Sequence, residues 1–136
     1  MDDTTRNLVR RRAGNRCEYC LLPQEAIPLL TFHIEHIIAK QHLDDDINDP
    51  NLLALACNRC NAYKGTNLTS IDPDTKAIVA VYNPRKDRWL DHFHAQHGEI
   101  VGRTPTGRAT VRLLRMNAPQ RVELREEWLA EGGQLP

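Results

Sequence analysis

Cys17-Glu-Tyr-Cys20 and Cys57-Asn-Arg-Cys60 are two Cys-x-x-Cys pairs, and together they contain all four cysteines of the chain. Two such pairs, far apart in sequence, can bind one tetrahedral zinc ion, which then holds the residues between and beside them in place. The segment between them, Phe-His-Ile-Glu-His-Ile-Ile at residues 32–38, is rich in histidine. The spacing therefore predicts a structural Zn²⁺ site of these four cysteines, with the histidine segment as the first place to look for chemistry.

Length and composition are typical of one small domain. The chain has 136 residues, of which 40% are hydrophobic and 5% aromatic, enough for a single modest core. No apolar run approaches the roughly 18 residues of a transmembrane helix, and the polar start at 1–5 lacks the features of a signal peptide. We therefore expect a cytoplasmic protein with no membrane partner, in which reduced cysteines bind zinc rather than form disulfides.

The charge of the chain is balanced but unevenly distributed. The formal net charge is +0, yet basic residues are concentrated in 6–16, in 85–88 and toward the C-terminus, while 44–46 is acidic. Separate basic faces can exist on a neutral molecule and bind nucleic acid. Arg108 and Arg112 are candidate phosphate contacts; the alternative is that such charges only solvate helix faces.

The N-terminal third is expected to contain one helix and one strand. Thr4 or Thr5 can cap a short arginine-rich helix that ends near Gly14. The apolar, β-branched segment 29–39 predicts strand structure around the histidines.

The region around the second cysteine pair has two interpretations. Residues 51–56 form either a short buried strand or the opening of a helix capped by Asp49, with Pro50 at its first position. We favour the strand, because the cysteine pair that follows needs a turn. Residues 58–64 can then form a helix that ends at Gly65.

Beyond residue 65 the pattern predicts two hairpins and two helices. Residues 72–75 are a strong turn signal before a strand at 77–82, and a hairpin is expected around Gly98. Thr104 begins a helix, and Asn117 caps the last one. The prediction is an α+β fold: a small zinc-stapled single domain over residues 1–136, with a motif core at about 17–65 and a C-terminal extension at about 70–131 that adds hairpin and helical structure.

The residues near the cysteines carry a specific chemistry. Glu35 and Asn61 offer oxygen ligands of the kind that a hard divalent cation accepts, and His36 is of the residue type best suited to act as a general base near neutrality. Arg59 and Lys64 are nearby in sequence. Such a set suits the attack of water on a phosphodiester, where a cation stabilises the developing charge.

The motifs at 17–65 resemble those of the HNH endonucleases of the four-cysteine zinc type. The resemblance is carried by Cys-Glu-Tyr-Cys, Phe-His-Ile-Glu-His-Ile-Ile, Cys-Asn-Arg-Cys-Asn and Tyr-Lys-Gly. It implies a ββα-metal core, with His36 as general base, Glu35 and Asn61 as ligands of a catalytic Mg²⁺ or another divalent cation, and Asn51 as the residue that steadies the loop and the base. It also implies a nuclease that hydrolyses phosphodiester bonds, with double-stranded DNA as the expected partner.

Other interpretations of the same residues remain open at this point. The chain could be a non-catalytic, zinc-stapled module that only binds nucleic acid. His33 could contact a phosphate or an ion, or could instead pack or form a hydrogen bond. Three further histidines have no supporting ligand spacing, so we expect them to face solvent; they are His92, His94 and His97.

Overall fold

Helix α1, Asp3–Arg12, begins the chain in the computed structural model, which describes residues 1–136. Its cap is Asp2, whose carboxylate accepts a hydrogen bond of 2.8 Å from the Thr5 backbone N–H. The prediction of a Thr4 or Thr5 cap is therefore wrong, because an acidic residue one turn earlier satisfies the free N–H groups of the first turn. The helix ends just before Gly14, as the sequence predicts.

Two short antiparallel strands form the centre of the motif region. Strand β1, His33–His36, pairs with β2, Leu53–Ala56, in a register that places His36 opposite Leu53. The strand expected over 29–39 is thus only four residues long. Its partner has the same length, and the Gln24 side chain holds the preceding backbone in a turn by bonding to Leu30 and Phe32.

Both interpretations of residues 51–56 are partly correct. Pro50–Leu52 forms one 3-10 turn, capped by the Asp49 side chain, which accepts a 2.9 Å bond from the Asn51 N–H. Strand β2 begins directly after this turn and is completely buried. The favoured strand is confirmed for residues 53–56 only.

Helix α2, Asn58–Lys64, follows β2 and completes a strand-strand-helix unit. Its cap is Cys57, whose sulfur accepts a bond of 3.4 Å from the Cys60 N–H. The helix ends at Gly65, which has a φ of 50°, a conformation that glycine adopts without strain. Both predicted ends of this helix are confirmed.

The C-terminal extension consists of two hairpins and three helices. Its elements are β3 (Thr69–Ile71), β4 (Ile78–Ala80), α3 (Trp89–His92), β5 (Phe93–Gln96), β6 (Glu99–Gly102), α4 (Pro105–Leu113) and α5 (Pro119–Ala130). The Thr104 cap is confirmed, since its side chain accepts from the Gly107 N–H. Asn117 does not cap α5. Its amide instead bonds to both the N–H and the C=O of Ile100, at 2.8 Å each, like an additional strand partner of β6.

One hydrophobic core joins the motif region and the extension. Tyr82, Phe93 and Ile100 of the extension belong to the same buried cluster as the four cysteines. The Trp89 indole N–H also donates to the Tyr19 carbonyl at 2.9 Å. The α+β fold is therefore confirmed, and the extension packs against the motif region.

No helix of the protein combines the length and the apolar sequence that a membrane span requires.

Candidate active site

The four cysteines lie together in the interior. Their sulfur atoms are all within 4.8 Å of one another, and every one of these side chains is buried. The distance from Cys20 Sγ to Cys57 Sγ is 3.8 Å. Four sulfurs at about 2.3 Å from a zinc ion form a tetrahedron with edges of about 3.8 Å. The cluster therefore has the ligands and the size of a structural zinc site, as the sequence predicts.

The environment of the thiols favours a bound cation. Burial raises the pKa of the Cys17 thiol well above its ordinary value. Hydrogen bonds with neighbouring thiols, first of all Cys17, lower the pKa of Cys57 instead. Four buried thiolates repel one another, so a divalent cation is needed to hold all four deprotonated at neutral pH.

Three of the predicted site residues line one cavity. Glu35 and His36 come from the end of β1, and Asn61 comes from α2, directly after the zinc-binding Cys60. The cavity has a volume of about 420 Å³ and opens to solvent. Lys40 also lines it. The zinc cluster and the β1–β2 pairing therefore bring together residues that are 26 positions apart in sequence.

The Glu35 carboxylate is held by two partners through the same oxygen. Its Oε1 accepts a hydrogen bond from the Tyr19 hydroxyl and lies 3.5 Å from Lys64 Nζ, which also donates to the Ile37 carbonyl at 2.7 Å. Burial raises the Glu35 pKa, while Lys64 and Tyr19 oppose that change. Both of these partners contact Oε1, so they leave Oε2 uncommitted in a residue that lines the cavity.

The His36 ring is partly buried at the edge of the cavity. Its Nε2 is buried and has no hydrogen-bond partner. A histidine that lines an open cavity in this way can take a proton from a water molecule there.

Asn51 is the predicted site residue that the structure does not bring to the cavity. It is exposed, in the 3-10 turn before β2, and lies two residues before Leu53, the strand partner of His36. Its backbone N–H donates to Asp49. A role for Asn51 in steadying the loop stays a prediction.

Three residues have positions or partners that the sequence pattern does not predict: Tyr19, Lys64 and Arg59. Tyr19 and Lys64 are the partners of Glu35, and Lys64 is buried rather than free to contact a phosphate. One signal was present: Lys64 lies three residues after Asn61, on the same side of α2. Arg59 stacks on Tyr63, with its guanidinium carbon 5.6 Å from the ring centre, and does not line the cavity.

Several C-terminal arginines also differ from the sequence prediction. Arg108 donates to both carboxylate oxygens of Asp72, at 3.0 and 2.9 Å, so the expectation that it contacts a phosphate is wrong. Arg121 and Arg125 are buried, where they bond to Asn58 and to backbone carbonyls. An arginine-rich sequence places these groups inside the protein because the fold supplies acceptors that the sequence pattern does not reveal.

The other histidines considered in the sequence differ in their exposure and contacts. His33 is exposed and lines a second cavity, so the packing interpretation is wrong for it. His97 is exposed and His94 is partly buried, but His92 hydrogen-bonds to the Thr104 hydroxyl at 2.7 Å. None of the last three belongs to a cluster of metal-ligating residues.

Comparison with known families agrees with this geometry. Residues 17–67 match the family model described as HNH endonuclease. The matched residues include the four-cysteine cluster and Glu35, His36 and Asn61 of the cavity, so the similarity covers the segment that forms the candidate site. No curated protein and no solved structure matches the chain.

Proposed function

We propose that the protein is a divalent-metal-dependent nuclease that hydrolyses phosphodiester bonds, with double-stranded DNA as its substrate. One observation carries this proposal. Glu35, His36 and Asn61 border a single open cavity within the segment that matches the HNH endonuclease family. A carboxylate, an imidazole and an amide in one cavity that opens to solvent form a set suited to metal-assisted hydrolysis.

The residues of the cavity fit a hard divalent cation such as Mg²⁺. Glu35, whose two protein partners both contact Oε1, and Asn61 line the same cavity. Carboxylate and amide oxygens are the ligands that Mg²⁺ prefers. When bound there, the ion would supply stabilisation of the negative charge that develops on the phosphate and on the leaving 3′ oxygen.

His36 is the proposed general base. Its imidazole takes the proton from a water molecule in the cavity as that water attacks phosphorus. Tyr19 and Lys64 hold Oε1 of Glu35, which keeps the other oxygen directed at the cavity. Zinc has a structural role in this proposal, because the cysteine cluster holds the helix that carries Asn61 against β1. Four free, buried cysteines favour a reducing compartment, and we place the protein in the cytoplasm.

A plasmid-nicking assay tests the proposal. Zinc-loaded protein is incubated with supercoiled DNA at increasing Mg²⁺, with His36→Ala as the inactive variant and His97→Ala as the control at an exposed histidine. We expect Mg²⁺-dependent nicking that His36→Ala loses and His97→Ala keeps. A protein that binds DNA but does not cut it with any divalent cation would contradict the proposal and would favour the non-catalytic binding module.

A further inference from the structure

A second cavity lies between α1 and β1, beside the candidate active site. Its volume is about 450 Å³. It contains residues from the N-terminal helix, from β1 and from the loop after β1. The polar and charged residues that line it are Arg6, Arg10, His33, His36, Lys40 and Asn48.

The two cavities are neighbours that share part of their lining. His36 and Lys40 line both of them. A polymer strand that passes these two residues can extend from the active site along β1 to the N-terminal helix. In this arrangement the general base lies at the junction, and the two arginines of α1 lie farther along the same groove.

The charge of the groove favours a polyanion. Its lining contains two arginines and a lysine and no acidic residue. Arg6 has only an exposed pair with Asp3, at 3.3 Å, and such pairs contribute little. Arg10 donates to the Phe32 carbonyl at 3.4 Å, a long bond that leaves most of its donors free. The basic groups are thus available to a ligand, unlike Arg108, which Asp72 holds.

We propose that this groove binds the phosphates of the nucleic-acid strand on one side of the scissile phosphate, with Arg6, Arg10 and His33 as the contacts. The inference rests on the proposed function, and it adds the path of the substrate. Arginine presents several N–H donors in a fixed planar arrangement that suits phosphate oxygens, so two arginines one helical turn apart can contact successive phosphates. The contacts are to the backbone, and no base-specific recognition is implied.

The chain offers a matched control on the same helix. Arg11 is exposed and lies on α1 next to Arg10, but it does not line the groove, and its side chain bonds to the Asn7 carbonyl instead. Arg88 is an exposed arginine of the extension. The double variants Arg6→Gln/Arg10→Gln and Arg11→Gln/Arg88→Gln therefore remove the same charge from the molecule.

The test measures binding without cleavage. Zinc-loaded full-length protein binds a labelled DNA duplex in buffer without Mg²⁺, and Kd is measured by fluorescence anisotropy between about 50 and 200 mM salt. Loss of two phosphate contacts should reduce the slope of log K against log salt by about 1.8. We expect that change for Arg6→Gln/Arg10→Gln and a clearly smaller one for the control pair. Circular dichroism and zinc content check the fold, and Arg6→Gln alone, expected to change the slope by about 0.9, serves if the double variant does not fold.

The outcomes separate the groove from the catalytic proposal. Equal slopes for the two double variants would overturn the groove. A wild-type protein that binds no DNA would overturn both proposals. Binding with the expected slope change, but without cleavage at any Mg²⁺ concentration, would support the groove and contradict the nuclease.

Discussion

The motif segment 17–67 and the extension 68–136 hold their buried polar groups by different means. In the motif segment, four thiols form a site for a metal ion, and the buried Glu35 is paired with a lysine and a tyrosine. In the extension, the buried Arg125 donates to backbone carbonyls, and Arg108 binds an aspartate. The motif segment thus offers a site for an ion from solution, whereas the buried arginines of the extension pair with groups of the chain itself.

The largest expected effect concerns the metal. Cys57→Ser should unfold the motif region, because zinc binding by thiolates contributes on the order of 10 kcal/mol in small zinc modules. Circular dichroism measures the loss of folded structure, and the zinc content of the purified variant measures the loss of the ion. A soluble, folded and zinc-free Cys57→Ser protein would show that the motif segment does not need a zinc ion to fold.

The next effect concerns catalysis within the motif segment. His36→Ala should keep zinc and DNA binding but lose about 10²–10⁴-fold in nicking rate, because a positioned base contributes that much. Asn61→Ala should instead recover part of its activity at higher Mg²⁺, since a ligand rather than the base is lost. Nicking rates measured against Mg²⁺ concentration distinguish the two. Full activity of His36→Ala would rule out the proposed base.

A third prediction concerns the extension. Arg125→Ala should lower the free energy of unfolding by about 3 kcal/mol, because it leaves buried carbonyls without donors and opens a cavity. Arg112→Ala, an exposed change on α4, should alter it by less than about 0.5 kcal/mol. Urea denaturation of zinc-loaded protein measures both. Equal effects would mean that the burial of Arg125 does not stabilise the extension.

The smallest predicted effect concerns the Glu35 carboxylate and its hydrogen bond from Tyr19. Tyr19→Phe removes one hydrogen bond to Glu35 Oε1 and should weaken the Mg²⁺ affinity about tenfold, since loss of an orienting partner typically costs that or more. Tyr63→Phe, which removes a hydroxyl from the outer face of α2, is the control. Mg²⁺ binding by calorimetry provides a readout that is independent of turnover. An unchanged affinity in Tyr19→Phe would assign the orientation of Glu35 to Lys64 alone.

Features with a recognisable motif were predicted well. Helix α2 and its end at Gly65 follow from neighbouring residues. The four-cysteine cluster follows from two Cys-x-x-Cys pairs, and a zinc ion that joins them brings Asn61 near Glu35 and His36. The α1 cap at Asp2 and the short helical turn at Pro50–Leu52 were missed or only half predicted, since more than one polar residue could serve as a cap.

The sequence by itself determined the four-cysteine set, the α+β class and the three residues of the candidate site, because these are properties of residue type and spacing. Only the tertiary structure decided the partners of those groups. It buried Lys64 against Glu35, turned Asn117 toward β6, left Asn51 outside the cavity and gave Arg108 an aspartate 36 residues away. The physical reason is that a charged side chain goes where the fold provides a partner, and such partners are distant in sequence.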